Sequence, residues 1–277
     1  MTLIYSATIY LLKKIQKQVN IDLKLLYNWL LANKISLNCT KTEIIFFGKA
    51  SMYQGINIKM NGLRLRPSDS IKYLGVHLDA DLSGKTHCQQ VATKLKRASG
   101  MPSKTRHYIP INELLSVYYA IFSSHMSYAC QVWGQINKSV IRRITKLQNR
   151  VMRIISFSDF GANPDPIYKS LKVLKFYDFV SLQNCLFVYD FLNQKLPTCF
   201  AEFFTPISQK NSKMTKNVEL GCLFIHHSNT TKHGLSSTNR QCINSWNFLS
   251  RTFNTNLRSL NRSALKRKIV SHFLSSY

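Results

Sequence analysis

Acidic side chains are scarce in this sequence. Its 277 residues contain 12 Asp and Glu against 38 Lys and Arg, which gives a formal net charge of +26. Only 18% of the residues are charged, so the chain is basic because acids are missing. An excess of positive charge favours polyanions, which makes nucleic acid the first expected partner and an anionic membrane surface the second.

Closely spaced cysteines and long apolar runs are also missing. The 7 cysteines are odd in number and form no CxxC pair, which argues against a disulfide framework or a zinc ribbon. No stretch approaches eighteen apolar residues, and the apolar start before Lys13 lacks a positive n-region and is too short to span a bilayer. We therefore expect an intracellular protein, nuclear or cytoplasmic, that is neither secreted nor in a membrane.

What is present is the composition of a folded protein, with 45% hydrophobic and 12% aromatic residues. Apolar residues at three- and four-residue steps predict an amphipathic helix over residues 8–32. Strand patterns occur at residues 3–5, at 43–47, around the turn Asn61-Gly62 and at 71–78. The first 80 residues are therefore expected to form a small α/β unit with β-hairpins.

From residue 86 onward the apolar period becomes that of helices. We predict helices at 86–99 ending at Gly100, at 111–130 after Pro110, at 138–157, at 176–194 and at 261–274. The polar segment 205–240 is expected to be a loop or a partly ordered stretch. The predicted class is α+β, mainly α, in which an all-helical module follows the small α/β unit. The predicted domains are the α/β unit 1–80, a helical domain at 81–200 and a basic C-terminal helical segment at 241–277, with a polar linker at 201–240.

Three stretches carry no acidic residue, namely 82–112, 114–158 and 220–277. The predicted helix 138–157 presents a cationic row, which Lys138 begins, opposite an apolar stripe of Val140, Ile144, Leu147, Val151 and Ile154. Cations about 6 Å apart can follow phosphates and release their counterions. The predicted nucleic-acid-binding residues are Arg142, Arg143, Lys146, Arg150 and Arg153, together with Lys94 and Arg97. An ordinary solvated helix face is the alternative.

No catalytic or base-reading signature accompanies this charge. Without a zinc finger, an RRM motif or a bZIP array, binding should follow the nucleic-acid backbone rather than its sequence. Two-metal chemistry needs converging carboxylates, and the one close pair is Asp79 and Asp81. In extended chain the two would share a side, but capping of the turn before the next helix is the favoured interpretation. His226-His227 is interpreted as loop composition.

Two segments of the first 80 residues carry specific motifs. One runs from Asn28-Trp29-Leu30 through Lys41-Thr42 to Phe46-Phe47, and the other is Ile71-Lys72-Tyr73-Leu74-Gly75-Val76-His77-Leu78-Asp79. Their order and spacing resemble the downstream half of the reverse transcriptase of non-LTR (LINE-type, jockey-like) retrotransposons. Similarity to the thumb helices of that family continues through Tyr118, Ser127-Tyr128-Ala129, Val132-Trp133-Gly134 and Ile141–Arg153, and Asn244–Leu249 is similar to a polyprotein tail segment.

The resemblance implies roles for particular residues. Lys41, in the motif that closes the palm, is expected near the triphosphate, where it could protonate or neutralise the leaving pyrophosphate. Tyr73, Leu74 and Gly75 are expected to be the primer grip, because glycine lets a backbone approach a sugar-phosphate strand. An RNA–DNA hybrid or duplex is the implied partner, and Mg²⁺ the metal of the full-length family. From the residues alone, Lys41 is a surface lysine and Gly75 a bulge.

The resemblance also implies what this chain lacks. The paired catalytic aspartates of the family lie just upstream of a segment like Thr2-Leu3-Ile4-Tyr5, and Gly84 stands where relatives tend to carry an aromatic residue. We therefore expect a palm end and thumb that contact template-primer, bind no metal or cofactor alone and do not polymerise alone. Two alternatives stay open, a non-catalytic nucleic-acid-binding protein derived from a transposon and an inert remnant.

Overall fold

The computed structural model describes residues 2–38, 41–48, 53–135, 138–210, 215–225, 234 and 237–277. The chain forms two compact units, Met1–Thr86 and His87–Tyr277. Helices predominate, and the named strands form two antiparallel sheets of two strands each, which confirms the predicted α+β class with mainly α content. Within the residues just given, no helix is long and apolar enough to cross a membrane.

A long helix, α1 (Thr2–Ala32), opens the first unit. It begins earlier than predicted, because no Gly or Pro interrupts the first 32 residues. Residues 3–5 lie inside this helix, so the strand predicted there is wrong. A helix satisfies its own backbone groups, whereas a strand needs a partner. The small core of this unit consists of the buried Ile58, Met60 and Leu65, and Val19 and Leu23 of α1 pack against it.

Two hairpins follow α1. Strands β1 (Lys59–Met60) and β2 (Leu63–Arg64) flank the turn Asn61-Gly62, whose φ angles of 50° and 76° are those of a type I′ turn. This hairpin is confirmed as predicted. Strands β3 (Ser70–Tyr73) and β4 (Val76–Asp79) pair in the second hairpin. This hairpin is one residue longer at each end than the predicted strand segment 71–78. Amide side chains attach β1 to α1, since Asn20 accepts a hydrogen bond from the Lys59 N–H at 2.8 Å.

The strand predicted at residues 43–47 is wrong. In the described part of that segment, pairing is limited to a single parallel bridge between Ile44 and Pro67. The bridge cannot lengthen into a ladder at Pro67, because proline has no N–H to donate. The carbonyl of Ile44 instead accepts from the Ser68 N–H at 2.8 Å. The residues 43–47 therefore have high β propensity, but they do not pair along their length with another strand within the described residues.

Helices make up most of the described residues from Lys85 onward. Their bounds are α2 (Lys85–Ala98), α3 (Gly100–Thr105), α4 (Ile111–Val117), α5 (Ser124–Ser127), α6 (Cys130–Trp133), α7 (Lys138–Ile155), α8 (Pro164–Ser170), α9 (Phe176–Leu192), α10 (Ile207–Lys210), α11 (Lys216–Glu219), α12 (Thr238–Phe253) and α13 (Arg262–Ser275). A π-helical segment, Tyr118–Ser123, joins α4 to α5. Ala129, with φ of 50°, breaks the helix predicted over 111–130 just before α6.

The described residues of the polar segment 205–240 are partly ordered, which is one of the two predicted states. The segment contains the single turns α10 and α11, and Pro206 pairs with Leu223 in an antiparallel bridge. The pair His226-His227 lies outside the described residues. The three predicted domains and the linker between them stay a prediction. Helix α9 contributes to both apolar clusters of the second unit, one around Trp133 and one around Trp246.

Candidate nucleic-acid interface

The cationic row predicted on the helix 138–157 lies on the outer face of α7. Arg142, Lys146 and Arg150 are all exposed at steps of four residues, and Arg143 is exposed beside them. No hydrogen bond or ion pair to the first three is found within the part of the chain that the structure describes. At a rise of 1.5 Å per residue, the three cations span about 12 Å along the helix. The side chain of Lys138 lies outside the described residues.

The opposite face of α7 is buried in the core of the second unit. Ile144 and Val151 of the predicted stripe are 0% exposed, whereas Leu147 and Ile154 are only half-buried. The buried face is rotated away from them and is completed by Ile141, Gln148, Met152 and Ile155. The rotation follows from a buried polar residue in the middle of the face, which an apolar pattern cannot show.

Gln148 connects α7 to two other segments. Its Nε2 donates to the Tyr118 hydroxyl and to the Leu174 carbonyl, both at 3.0 Å. Its Oε1 accepts from the backbone N–H of Phe176 at 2.9 Å. The side chain is 1% exposed, so the amide exchanges all its water contacts for bonds to the π-helical segment and to the start of α9. These bonds fix the rotation of α7, and with it the direction of the cationic row.

Other predicted cations have different surroundings. Arg153 is half-buried, and its Nε donates to the Ala162 carbonyl at 2.9 Å, so this guanidinium holds the loop after α7. Lys94 and Arg97 are exposed on α2, three residues apart, on the side away from the buried Val91 and Leu95. They lie on a helix separate from the row of α7.

The predicted primer grip is the tip of the second hairpin. Tyr73 is 61% exposed and Leu74 is 74% exposed. Leu74 and Gly75 form the two-residue turn, with φ of 46° and 84°. A positive φ strains a bulky residue such as leucine, whereas glycine adopts it freely. The hairpin therefore holds an apolar side chain outward at a backbone position that favours Asn or Gly. Gly75 is a turn residue, not the bulge of the alternative interpretation.

Lys41 is exposed in the first unit, and its backbone N–H donates to the Asn38 carbonyl at 3.1 Å. The neighbouring Thr42 hydroxyl donates to the same carbonyl at 3.2 Å. Neither bond involves the lysine side chain. The geometry is that of a surface lysine, and its role at a triphosphate stays a prediction.

Asp79 and Asp81 cap the turn before α2, as the favoured interpretation expected. Asp79 Oδ2 accepts from the Thr86 N–H at 3.2 Å and from the Ser83 hydroxyl at 3.1 Å, and Asp81 Oδ1 accepts from the Ser83 N–H at 3.0 Å. Burial alone would raise the pKa of Asp79, but these hydrogen bonds outweigh it and lower the pKa. Within the described residues, no group of three or more His, Cys, Asp or Glu could hold a metal ion.

The segment Tyr128–Gly134 is part of the core. Trp133 is 1% exposed, stacks on Phe176 with ring centroids 5.3 Å apart, and donates from Nε1 to the Tyr128 carbonyl at 2.8 Å. A Cβ on Gly134 would lie 2.5 Å from the Cys130 carbonyl oxygen and 2.8 Å from a methyl group of Val180 on α9, so a larger residue there would force these atoms to shift. The motif thus packs α6 against α9, and Tyr118 is buried beside it.

Sequence reasoning missed a group of aromatic residues at the C-terminal end of α7. Tyr108 and Phe160 are each 86% exposed, and Phe157 is 46% exposed. The guanidinium carbon of Arg106 lies 4.8 Å from the centre of the Phe157 ring, and the His107 ring is 5.7 Å from it. The available signal was the presence of aromatic residues in two loops that border basic helices.

Curated proteins share part of this sequence. The chain is 28% identical over 116 residues, 41% of its length, to the probable RNA-directed DNA polymerase from transposon X-element of Drosophila melanogaster. It is 28% identical over 162 residues, 57% of its length, to the RNA-directed DNA polymerase from mobile element jockey of the same species. The jockey polymerase of Drosophila funebris is 25% identical over 154 residues, 54% of the chain.

These matches confirm the resemblance to jockey-like reverse transcriptases over about half of the chain. The matched segment spans 13% of the X-element protein and 17% of each jockey protein. No family model and no solved structure matches the chain. The similarity therefore concerns a small part of much longer polymerases.

Proposed function

We propose that this chain binds the sugar-phosphate backbone of a template-primer duplex, as the palm end and thumb of an RNA-directed DNA polymerase of a non-LTR retrotransposon. The observation that carries the proposal is the row of Arg142, Lys146 and Arg150, exposed on one face of α7. The similarity to the jockey and X-element polymerases supports it. The proposal assigns backbone binding to these residues and leaves nucleotide addition aside.

The cationic row is suited to binding phosphates because the helix that carries it is anchored in the core by its opposite face. The opposite face of α7 is buried, and Gln148 fixes its rotation. The cations therefore need little ordering when a ligand binds, which lowers the entropic cost of association. Acids are absent from residues 114–158, so no carboxylate of this stretch competes with phosphate. Each phosphate contact releases counterions, which gives binding a steep salt dependence.

We expect the triple substitution Arg142→Gln, Lys146→Gln, Arg150→Gln to flatten that salt dependence. The slope of log affinity against log salt should fall by up to about 0.9 for each lost phosphate contact. The measurement is fluorescence anisotropy of a labelled RNA–DNA hybrid, titrated with the full chain between about 50 and about 200 mM salt. A double-stranded DNA of the same sequence serves as a second probe.

The matched control is Arg258→Gln, Lys266→Gln, Arg267→Gln. It removes two Arg and one Lys from exposed positions outside the row, so the change in net charge is the same. We expect a smaller fall in slope for this variant. Unchanged affinity and slope in the α7 variant, or equal effects in both variants, would show that the row is not the binding surface.

The primer-grip assignment has its own test in the strained turn. Because Asn tolerates a positive φ better than Leu, Leu74→Asn should slow hydrogen exchange of the β3–β4 amides about fivefold, equivalent to about 1 kcal/mol. If Leu74 contacts the primer, the same variant should bind the hybrid more weakly. Leu63→Asn, at another exposed leucine in the first hairpin, is the control for the change in side chain. If hydrogen exchange in the hairpin slows but the affinity for the hybrid is unchanged, Leu74 does not contact the primer.

One observation favours the inert-remnant alternative. Leu25, Trp29 and Leu31 of α1 are 63%, 58% and 55% exposed, and an apolar surface of this kind promotes aggregation in a chain without a partner for it. A thermal melt together with the binding titration distinguishes an inert remnant from a chain that binds nucleic acid. A chain that aggregates and shows no salt-dependent binding is a remnant, whereas cooperative melting with salt-dependent binding supports the proposal.

A further inference from the structure

Two loops of the second unit meet at an exposed aromatic ring. The loop after α3 brings Arg106 and His107 against Phe157, with the Arg106 guanidinium carbon 4.8 Å and the His107 ring centre 5.7 Å from the Phe157 ring centre. Tyr108 follows in the first loop and Phe160 in the second, and each is 86% exposed. We call these five residues the aromatic patch. Exposed rings interleaved with cations are the usual surface on which unpaired bases stack.

The backbone at the centre of the patch is strained. Helix α7 ends in a Schellman arrangement, in which the Ser158 N–H donates to the Arg153 carbonyl at 3.0 Å and the Phe157 N–H to the Ile154 carbonyl at 3.4 Å. Glycine is the usual residue at the left-handed position of this motif, but here it is Phe157, with φ of 56°. A bulky side chain is costly there. Strain of this kind at an exposed ring points to a function outside the fold.

The cationic row leads to this patch. Arg150, the last exposed cation of the row, precedes Phe157 by seven residues, a distance of about 10 Å along the helix axis. Arg106 adds a cation beside the ring itself, and Arg153 holds the loop through the Ala162 carbonyl. The exposed carboxylate of the loop, Asp159, would repel a phosphate, so the phosphate is expected on the Arg106 side of the ring.

From this juxtaposition we infer that the aromatic patch stacks an unpaired base of a nucleic acid whose duplex backbone lies along the row of α7. The inference rests on the proposed function and adds a preference to it, for duplexes that end in an unpaired overhang. Stacking on aromatic side chains tolerates every base, because every base has a π-face. The preference is therefore for strand state and not for sequence.

The test compares two labelled RNA–DNA hybrids, one blunt and one with an overhang of about four unpaired nucleotides. The wild-type chain should bind the overhang probe at least about fivefold more tightly. Phe157→Gly should remove the preference while leaving the salt slope on the blunt hybrid unchanged, because it removes no charge. The glycine suits the backbone at that position, so the melting temperature should not fall.

Phe160→Ala is the second variant, at a ring that is almost fully exposed, and it should weaken only overhang binding. Phe248→Ala, at a 59% exposed ring on α12, is the matched control and should leave both probes unaffected. Equal wild-type affinity for the two probes would overturn the inference and leave the proposed function intact. A preference that persists in Phe157→Gly would do the same. Loss of salt-dependent binding to the blunt hybrid marks failure of the proposed function itself.

Discussion

Replacing Trp133 by alanine is expected to lower the free energy of unfolding by about 3–5 kcal/mol. The indole is 1% exposed, stacks on Phe176 and donates to the Tyr128 carbonyl. Its removal leaves a cavity between α6 and α9, and the loss combines the lost apolar burial with the unfilled volume. The measurement is denaturant unfolding of the full chain, followed by far-UV circular dichroism.

Two further substitutions serve as references for the stability loss expected of Trp133→Ala. Trp133→Phe keeps most of the buried ring and removes the N–H that donates to the Tyr128 carbonyl, at a cost of about 1–3 kcal/mol. Val132→Ala, at the neighbouring residue that is 53% exposed, should change stability by less than about 0.5 kcal/mol. A midpoint for Trp133→Ala that equals that of Val132→Ala would contradict the packing described for α6.

The second large effect is expected for Gln148→Leu, at about 2–4 kcal/mol of destabilisation. Leucine fills a similar volume but leaves the Tyr118 hydroxyl, the Leu174 carbonyl and the Phe176 N–H without the partner that Gln148 provides. A buried polar group without a partner costs more than the hydrogen bond contributed. Denaturant unfolding of the full chain measures the loss.

A double-mutant cycle identifies the cause. Tyr118→Phe alone should cost about 1 kcal/mol, since it removes one hydroxyl from a buried ring. Combined with Gln148→Leu, it should cost less than the sum, because the hydroxyl that would be left without its donor is then gone. Strict additivity of the two changes would indicate that the amide and the hydroxyl do not interact.

The sequence predicted elements whose pattern is local. The hairpin at Asn61-Gly62 follows from turn chemistry, and α7 and α13 follow from apolar spacing with errors of one or two residues at their ends. The strands predicted at 3–5 and 43–47 were wrong because strand pairing depends on residues far along the chain. Helix α12 lies largely in the segment 241–277, which was predicted to be helical without bounds for this helix. Its apolar pattern is interrupted by the buried Asn247, whose Oδ1 accepts from the Leu223 N–H and whose Nδ2 donates to the Leu223 carbonyl, both at 2.8 Å.

Some residues of the candidate interface could likewise be predicted from local sequence patterns, and others could not. Exposure of Arg142, Lys146 and Arg150 follows from the spacing of charge along one helix, so the sequence could predict it. Arg153 was counted with them, but its Nε binds the Ala162 carbonyl, which depends on the path of the loop. The meeting of Arg106 with Phe157 joins residues some fifty positions apart, and no spacing rule relates them.

The position of Gln148 provides a spectroscopic reporter for ligand binding. Its Oε1 holds the Phe176 amide, which is buried and lies on a different helix from every cation of the row. A polyanion that damps the motion of α7 would slow deuterium uptake at this amide without touching it. Phe176 can therefore register an event at the solvent side of α7 from the interior of the protein.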